Sequence, residues 1–357
     1  MTDRRCVTGL ALLALLVLAS PGVAFAESYY FAIDVPGEIA GASIATNEIA
    51  FSSLAGYAPE LVLPDGVEIS ALHLDPSGIW AFTVRSPVEL DGMLYEPNDI
   101  VATDGVNFAS VWDGDAAGLS RGAVIDALLA GPGTGLVISV DTPVELDGLS
   151  YWPSDLIELG SPIVSYWSGN ANGVPAYANL VGADETPEGL VLSFDVPTRL
   201  GGLDYYPGQL VLWNSGSGFS SYRYEPLWPL SIQLRDFSLL PAAGAVPDGS
   251  DAADVPLEVG RVAGDLELSW GASCSGDPDY AVYEGTLGNF TSHAPRVCST
   301  AGATSTVLTP PVGSSYYLVV PHGDVSEGSY GTDSFAVERL PQPGACLPHS
   351  VGSCPAP

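Results

Sequence analysis

One short stretch constrains the fold of this chain more than any other feature, because it recurs. Ser86-Pro87-Val88-Glu89-Leu90-Asp91-Gly92 returns as Thr142-Pro143-Val144-Glu145-Leu146-Asp147-Gly148. A weaker copy is Val196-Pro197-Thr198-Arg199-Leu200-Gly201-Gly202, and a fainter one is Val35-Pro36-Gly37-Glu38-Ile39-Ala40-Gly41. Pro36, Pro87, Pro143 and Pro197 follow one another at 51, 56 and 54 residues. A near-constant period of this size points to tandem supersecondary units. Within a unit the apolar residues alternate with period two. Ile79 to Val84, Asp99 to Ala102, Phe108 to Trp112 and Ile125 to Leu129 read as four short strands separated by Gly, Pro and Asp turns. Ala123 to Ala130 also fits a helix locally, but the register of the other copies favours strand.

Four strands per unit is the pattern of a propeller blade. The first copy starts directly at Tyr29 to Asp34 and lacks a preceding strand, whereas the last adds Leu230 to Phe237, which resembles Val67 to Leu74. Residues 27–243 are therefore expected to form a four-bladed β-propeller closed by N- and C-terminal strands, which removes free sheet edges. Proline sits where a ladder can spare a donor, and Asp-Gly supplies a turn, so the recurring stretch reads as the exit from a blade strand. The region resembles repeats of secreted bacterial proteins of unassigned activity. It shares at most architecture with hemopexin-like domains.

After a linker at 244–253, residues 254–340 alternate again, with turns every 8 to 12 residues, as in a β-sandwich. Leu268 to Trp270, Tyr280 to Tyr283, Tyr316 to Val319 and Gly328-Ser329-Tyr330-Gly331 follow the order seen in fibronectin type III domains, and the segment resembles that family. The whole chain is thus expected to be all-β. Residues 341–357 form a tail. Of five cysteines, Cys6 lies in the leader, which leaves Cys274, Cys298, Cys346 and Cys354 for two disulfides. Three pairings exist. The local one, Cys274–Cys298 with Cys346–Cys354, crosses the least chain and is the expected one; a disulfide in the sandwich departs from the usual fibronectin type III pattern.

Residues 1–26 read as a signal peptide: Arg4 and Arg5, an apolar run from Leu10 to Leu18, and Ala24-Phe25-Ala26 at the cut. The expected location is secreted or periplasmic, with no membrane span after removal. Taking away Asp3, Arg4 and Arg5 leaves eight basic residues against 41 acidic ones, and no lysine. Nucleic acid and anionic membranes require basic residues to neutralise phosphate, so neither is an expected partner. Oligomeric state is not legible.

No Gly-x-Ser-x-Gly, His-Glu-x-x-His or Cys-x-x-Cys spacing occurs. His73, His293, His322 and His349 are scattered, three of them near turns or tails where exposure is ordinary. Asn289-Phe290-Thr291 matches the glycosylation acceptor pattern, which also arises by chance. The repeated carboxylates carry more information. Two residues before each proline stand Asp34, Arg85, Asp141 and Asp195; twelve after it stand Glu48, Asp99, Asp155 and Gln209. Around a fourfold axis, Asp34, Asp141 and Asp195 could supply oxygens to a calcium ion. Arg85 breaks that ring and could pair with a neighbouring Asp. The alternative, the commoner use of such residues, is that each carboxylate caps a turn in its own blade.

Tyr95, Trp152, Tyr205, Tyr206 and Trp228 stand near turns as candidate contact residues, while Trp112, Trp167 and Tyr222 share one register and read as core. Two functions follow. One is a secreted non-catalytic binding or scaffold protein whose propeller face contacts a protein or glycan, with a bound cation as an option and no established cofactor. The other is an extracellular hydrolase or lyase acting on a polymer, which would need paired carboxylates beside an aromatic wall in one pocket.

Overall fold

The computed structural model describes residues 28–53, 56–131, 135–223, 229, 231–247, 255–333, 337–352 and 354. The expected leader and Trp228 lie outside them. The fold is all-β and antiparallel. Ala123 to Ala130 resolves as the strand Ile125–Ala130, not a helix.

Four four-stranded sheets occupy the repeat region. The second runs, from its inner edge outward, Ile69–Leu74, Trp80–Val84, Ile100–Thr103, Phe108–Trp112. The third is Ile125–Ala130, Leu136–Val140, Leu156–Leu159, Val164–Trp167, and the fourth Leu180–Thr186, Gly189–Phe194, Leu210–Asn214, Gly218–Arg223. The first sheet takes its inner strand, Leu234–Leu239, from the far end of the region and continues through Tyr29–Ile33, Glu48–Ser53 and Gly56–Val62. Each inner strand lies against two others in cyclic order: 69–74, 125–130, 180–186, 234–239 and back to 69–74.

These four strands form no hydrogen-bonded barrel, so their edge N–H groups need other partners. Side chains provide them. Asp236 is fully buried, and its Oδ2 accepts from the N–H groups of Leu72 and of Leu128, both at 2.9 Å. Ser238 Oγ accepts from Leu74 N–H at 3.1 Å, and Asp184 Oδ2 from Leu239 N–H at 2.6 Å. The hydroxyls of Ser70 and Thr83 both donate to the carbonyl of Ile125. The inner strands are stitched by polar side chains where a ladder is missing.

The recurring stretch forms a separate two-stranded ribbon in every copy: Gly37–Ile39 with Ala42–Ile44, Val88–Leu90 with Met93–Tyr95, Val144–Leu146 with Leu149–Tyr151, and Thr198–Leu200 with Leu203–Tyr205. Each turns through two residues of positive φ, such as Asp91 (51°) and Gly92 (78°). That is the type I′ hairpin for which Asp-Gly is suited. Leu90 and Tyr95, Leu146 and Tyr151, Leu200 and Tyr205, and Ile39 and Ile44 are buried in the four apolar clusters between sheets. In each copy the ribbon thus carries apolar side chains into the clusters between sheets. Of the three aromatics expected in the core, Trp167 is buried, while Trp112 and Tyr222 pack half-buried against these clusters.

Beyond residue 254, two three-stranded sheets face each other: Glu258–Val262, Asp265–Ser269, Ser305–Leu308, and Ala294–Val297, Asp279–Thr286, Ser315–His322. Leu268, Trp270, Tyr280 and Val282 fill the space between them. The expected local disulfides are corrected. Cys274 bonds Cys354 and Cys298 bonds Cys346. The tail does not close on itself, because it runs back across the molecule. Ser350 N–H donates to Glu327 O, Gly352 N–H to Ala243 O, and Ser28 Oγ to His349 O. The histidines are corrected too: all four are buried. His322 and His349 flank the buried Glu327, which accepts from the hydroxyls of Tyr283 and Tyr330. A polar core of this kind is invisible to a reading based on turns.

Candidate functional site

The repeated carboxylates divide into two sets with different geometry. In the set twelve residues after the prolines, each oxygen accepts the N–H three residues upstream: Glu48 from Ala45 (2.7 Å), Asp99 from Glu96 (2.9 Å), Asp155 from Trp152 (2.9 Å) and Gln209 from Tyr206 (2.8 Å). Gln209 does this as well as the acids, so the position needs an acceptor and not a charge.

The set two residues before the prolines lies at the foot of the inner strands. Asp34, Asp141 and Asp195 each receive an N–H on Oδ1, from Gln233 (2.7 Å), Val124 (2.9 Å) and Asn179 (3.3 Å), and each returns its own N–H to the same residue's carbonyl. Arg85 makes only the second bond, to Glu68 O. Among the described residues no three His, Cys, Asp or Glu side chains gather as a metal-binding group.

One residue inward, every inner strand carries an irregularity in its pairing, which falls at Ser70, Asp126, Val181 and Arg235. A bulge re-aims its side chain out of the pleat. Asp126 and Arg235 thereby line a cavity of about 360 Å³ with Arg85, Asp141, Asn179 and Asp195, and Tyr177 at its side. Asp126 is only 2% exposed. Its Oδ2 accepts from Asn179 Nδ2 at 2.7 Å, and its Oδ1 has no partner. Burial holds its carboxyl well above the usual range; Asn179 opposes this, and the charges of Asp141 and Asp195 add to it. Burial likewise raises the Asp195 carboxyl.

The two arginines are the unusual members. The pairing with a neighbouring Asp that is open to Arg85 does not form: neither Arg85 nor Arg235 comes within ion-pair distance of an acid among the described residues. Burial lowers the Arg235 guanidinium, as does the charge of Arg85, against Asp34, Asp126 and Asp195. Two forks of N–H donors, unpaired with an acid among the described residues, thus face a cavity that also holds the free Oδ1 of Asp126. Such groups grip the planar and vicinal polar groups of a small ligand.

The same end carries aromatic surface. Pro153 lines the cavity, and the neighbouring Trp152 is 53% exposed; Tyr206, at the equivalent turn of the next copy, is 53% exposed, and Tyr177 64%. Tyr95 and Tyr205, read from sequence as contact residues, are instead buried in the clusters between sheets. Asp126, Asn179, Tyr177 and Arg235 were missed by sequence reasoning. The available signal was a lone charge inside an apolar strand, Ile125-Asp126-Ala127-Leu128-Leu129.

No family model matches the chain, and no curated protein matches it. Among solved structures it is similar to the extracellular domain of a proposed one component system from B. thetaiotaomicron, at 7% identity and a TM-score of 0.28, covering 92% of this chain and 56% of that one. It is also similar to a protein of unknown function from Bacteroides caccae, at 9% identity and a TM-score of 0.25, covering 68% of this chain and 82% of that one. The chain spans little more than half the length of the first. Likeness at this level carries no functional argument.

Two further facts bear on location. Two disulfides belong to an oxidising compartment. Among the described residues no helix is long and apolar enough to cross a membrane.

Proposed function

We propose that this is a secreted or periplasmic binding protein, in which residues 27–243 form a four-bladed propeller and residues 254–340 a fibronectin type III-like module, and that the cavity at the foot of the inner strands takes a glycan residue. The observation that carries the reading is the pair Arg85 and Arg235, unpaired with an acid among the described residues, beside the free Oδ1 of buried Asp126. Donors and acceptors left unpaired in one cavity match the hydroxyls of a neutral sugar, which offer both. Exposed Tyr177, Trp152 and Tyr206 give flat surfaces for the apolar face of a pyranose ring. A cavity of about 360 Å³ has room for one such ring. The cyclic order of the inner strands, and Leu234–Leu239 completing the first sheet, support the propeller.

The test is a glycan array followed by calorimetry on the best binder, with Arg235→Met, Arg85→Gln and Tyr177→Ala. Loss of a hydrogen bond from a charged group costs about 1.5–3 kcal/mol, so Arg235→Met should weaken binding by about ten- to a hundredfold. Equal binding by all three variants would remove this site. The gathering of Asp126, Asp141 and Asp195 beside Tyr177 favours a second reading, an extracellular hydrolase or lyase at the same face, since a protonated carboxyl beside a second carboxylate is what glycoside cleavage uses. New reducing ends released from the bound glycan would select it over binding alone.

A further inference from the structure

The opposite end of the same four inner strands opens into a second cavity, of about 600 Å³, lined also by Ser275 and Gly352. Its polar lining is one-sided. His73, Asp184, Glu185 and Glu188 face it, and among the described residues no arginine does. His73 is 8% exposed, and its enclosed Nδ1 has no partner. Glu185 accepts from the Tyr166 hydroxyl through Oε2, which leaves its other oxygen.

Several backbone donors around the cavity are already used. Leu239 N–H and Glu185 N–H go to Asp184, Glu188 N–H to Thr186 Oγ1, Gly131 N–H to Gly135 O and Gly352 N–H to Ala243 O. The remaining walls are apolar: Leu74, Ala130, Leu239, Leu240 and Pro241. The cavity therefore presents mainly acceptors and negative charge over an apolar floor, with the Ser275 hydroxyl as a side-chain donor. Burial draws the His73 imidazole down to about 4, against the charge of Asp75, so at neutral pH it can accept at a ring nitrogen.

We propose that this cavity is a binding site for a small organic ammonium ion with an apolar body. The ammonium supplies N–H donors to His73 Nε2, the ring nitrogen that is not enclosed, and to the carboxylates of Glu185 and Glu188, while its hydrocarbon part lies on Leu74, Leu240 and Pro241. The site is independent of the glycan cavity, because no residue is shared.

The experiment is an NMR titration of the whole protein at pH 7, following the His73 imidazole resonances, with n-pentylammonium, 1-pentanol and pentanoate as probes. Pentylammonium should shift His73 with saturation in the range of about 1 mM, and pentanol should bind about tenfold more weakly or worse. Glu188→Gln, at an exposed position, should weaken pentylammonium about two- to fivefold, as expected for one partly solvated charge pair. Ala130→Trp at the rim should abolish binding, and Arg235→Met should leave it unchanged. Equal shifts with pentanol and pentylammonium, no His73 shift up to about 20 mM, or unchanged affinity in Glu188→Gln would each overturn the proposal.

Discussion

Replacing Asp236 by alanine tests how the inner strands are held together. Its Oδ2 bridges Leu72 N–H of one neighbouring strand and Leu128 N–H of the next, and its Oδ1 accepts from Phe237 N–H. Two effects compete. Burial pushes its carboxyl well above the usual range, so deleting the group recovers a desolvation cost. Against this, alanine leaves three buried N–H groups, those of Leu72, Leu128 and Phe237, without the acceptor they had, and each such orphan costs about 1–3 kcal/mol. The cavity left by the carboxyl adds a smaller amount. The orphans win, and Asp236→Ala should destabilise the repeat region by about 3–5 kcal/mol, a large share of a typical domain's stability. Urea unfolding followed by tryptophan fluorescence reads this, since Trp80, Trp112, Trp167 and Trp213 all lie in that region. Native-state hydrogen exchange gives a second readout: the amides of Leu72 and Leu128 should lose protection more than their neighbours. Asp236→Asn keeps one acceptor and should cost less than half as much. A loss below about 1 kcal/mol for Asp236→Ala, with both amides still protected, would show that the strands cohere by apolar packing alone and refute the reasoning.

Three other outcomes follow from the same geometry. Ala40 occupies the left-handed position (φ 49°) that Asp91 and Asp147 hold in their ribbons, so Ala40→Gly or Ala40→Asn should stabilise by about 0.5–1 kcal/mol in thermal unfolding. Burial raises Asp184 to about 7, against N–H bonds from Leu239 and Glu185. Its contribution to stability is thus complete below about pH 4 and is lost as pH rises toward 7, by about 4 kcal/mol in all. Urea midpoints measured from pH 4 to 8 should fall across that window, and Asp184→Asn should flatten the slope. Peptide mapping without reduction should recover Cys274 with Cys354 and Cys298 with Cys346; the double substitution Cys274→Ser, Cys354→Ser should cost about 2–4 kcal/mol.

The sequence by itself determined what depends on neighbours along the chain. Strand alternation, the spacing of the four copies and the Asp-Gly turns are local, because turn conformation is set by two or three adjacent residues. The all-β class, the strand at Ile125–Ala130 and the tight turns of the ribbons were legible for that reason. So was the capping use of Glu48, Asp99 and Asp155, each of which accepts the N–H three residues upstream, whereas Asp34 reaches Gln233, 199 residues away.

Tertiary structure alone decided which polar groups go without partners. Asp126 is paired with Asn179, 53 residues away, and Asp236 with Leu72 and Leu128, 164 and 108 residues away. Arg85 could reach an acid as far as its sequence neighbours show, and only the packed ring holds it clear of one. The cysteines took the long-range pairing because the tail returns across the molecule to Ala243 and Glu327. Burial, and with it the shifted protonation of Asp126, Asp184 and His73, arises where four strands distant in sequence pack together. No local pattern encodes that convergence, so the cavities at its two ends become visible only in the folded chain.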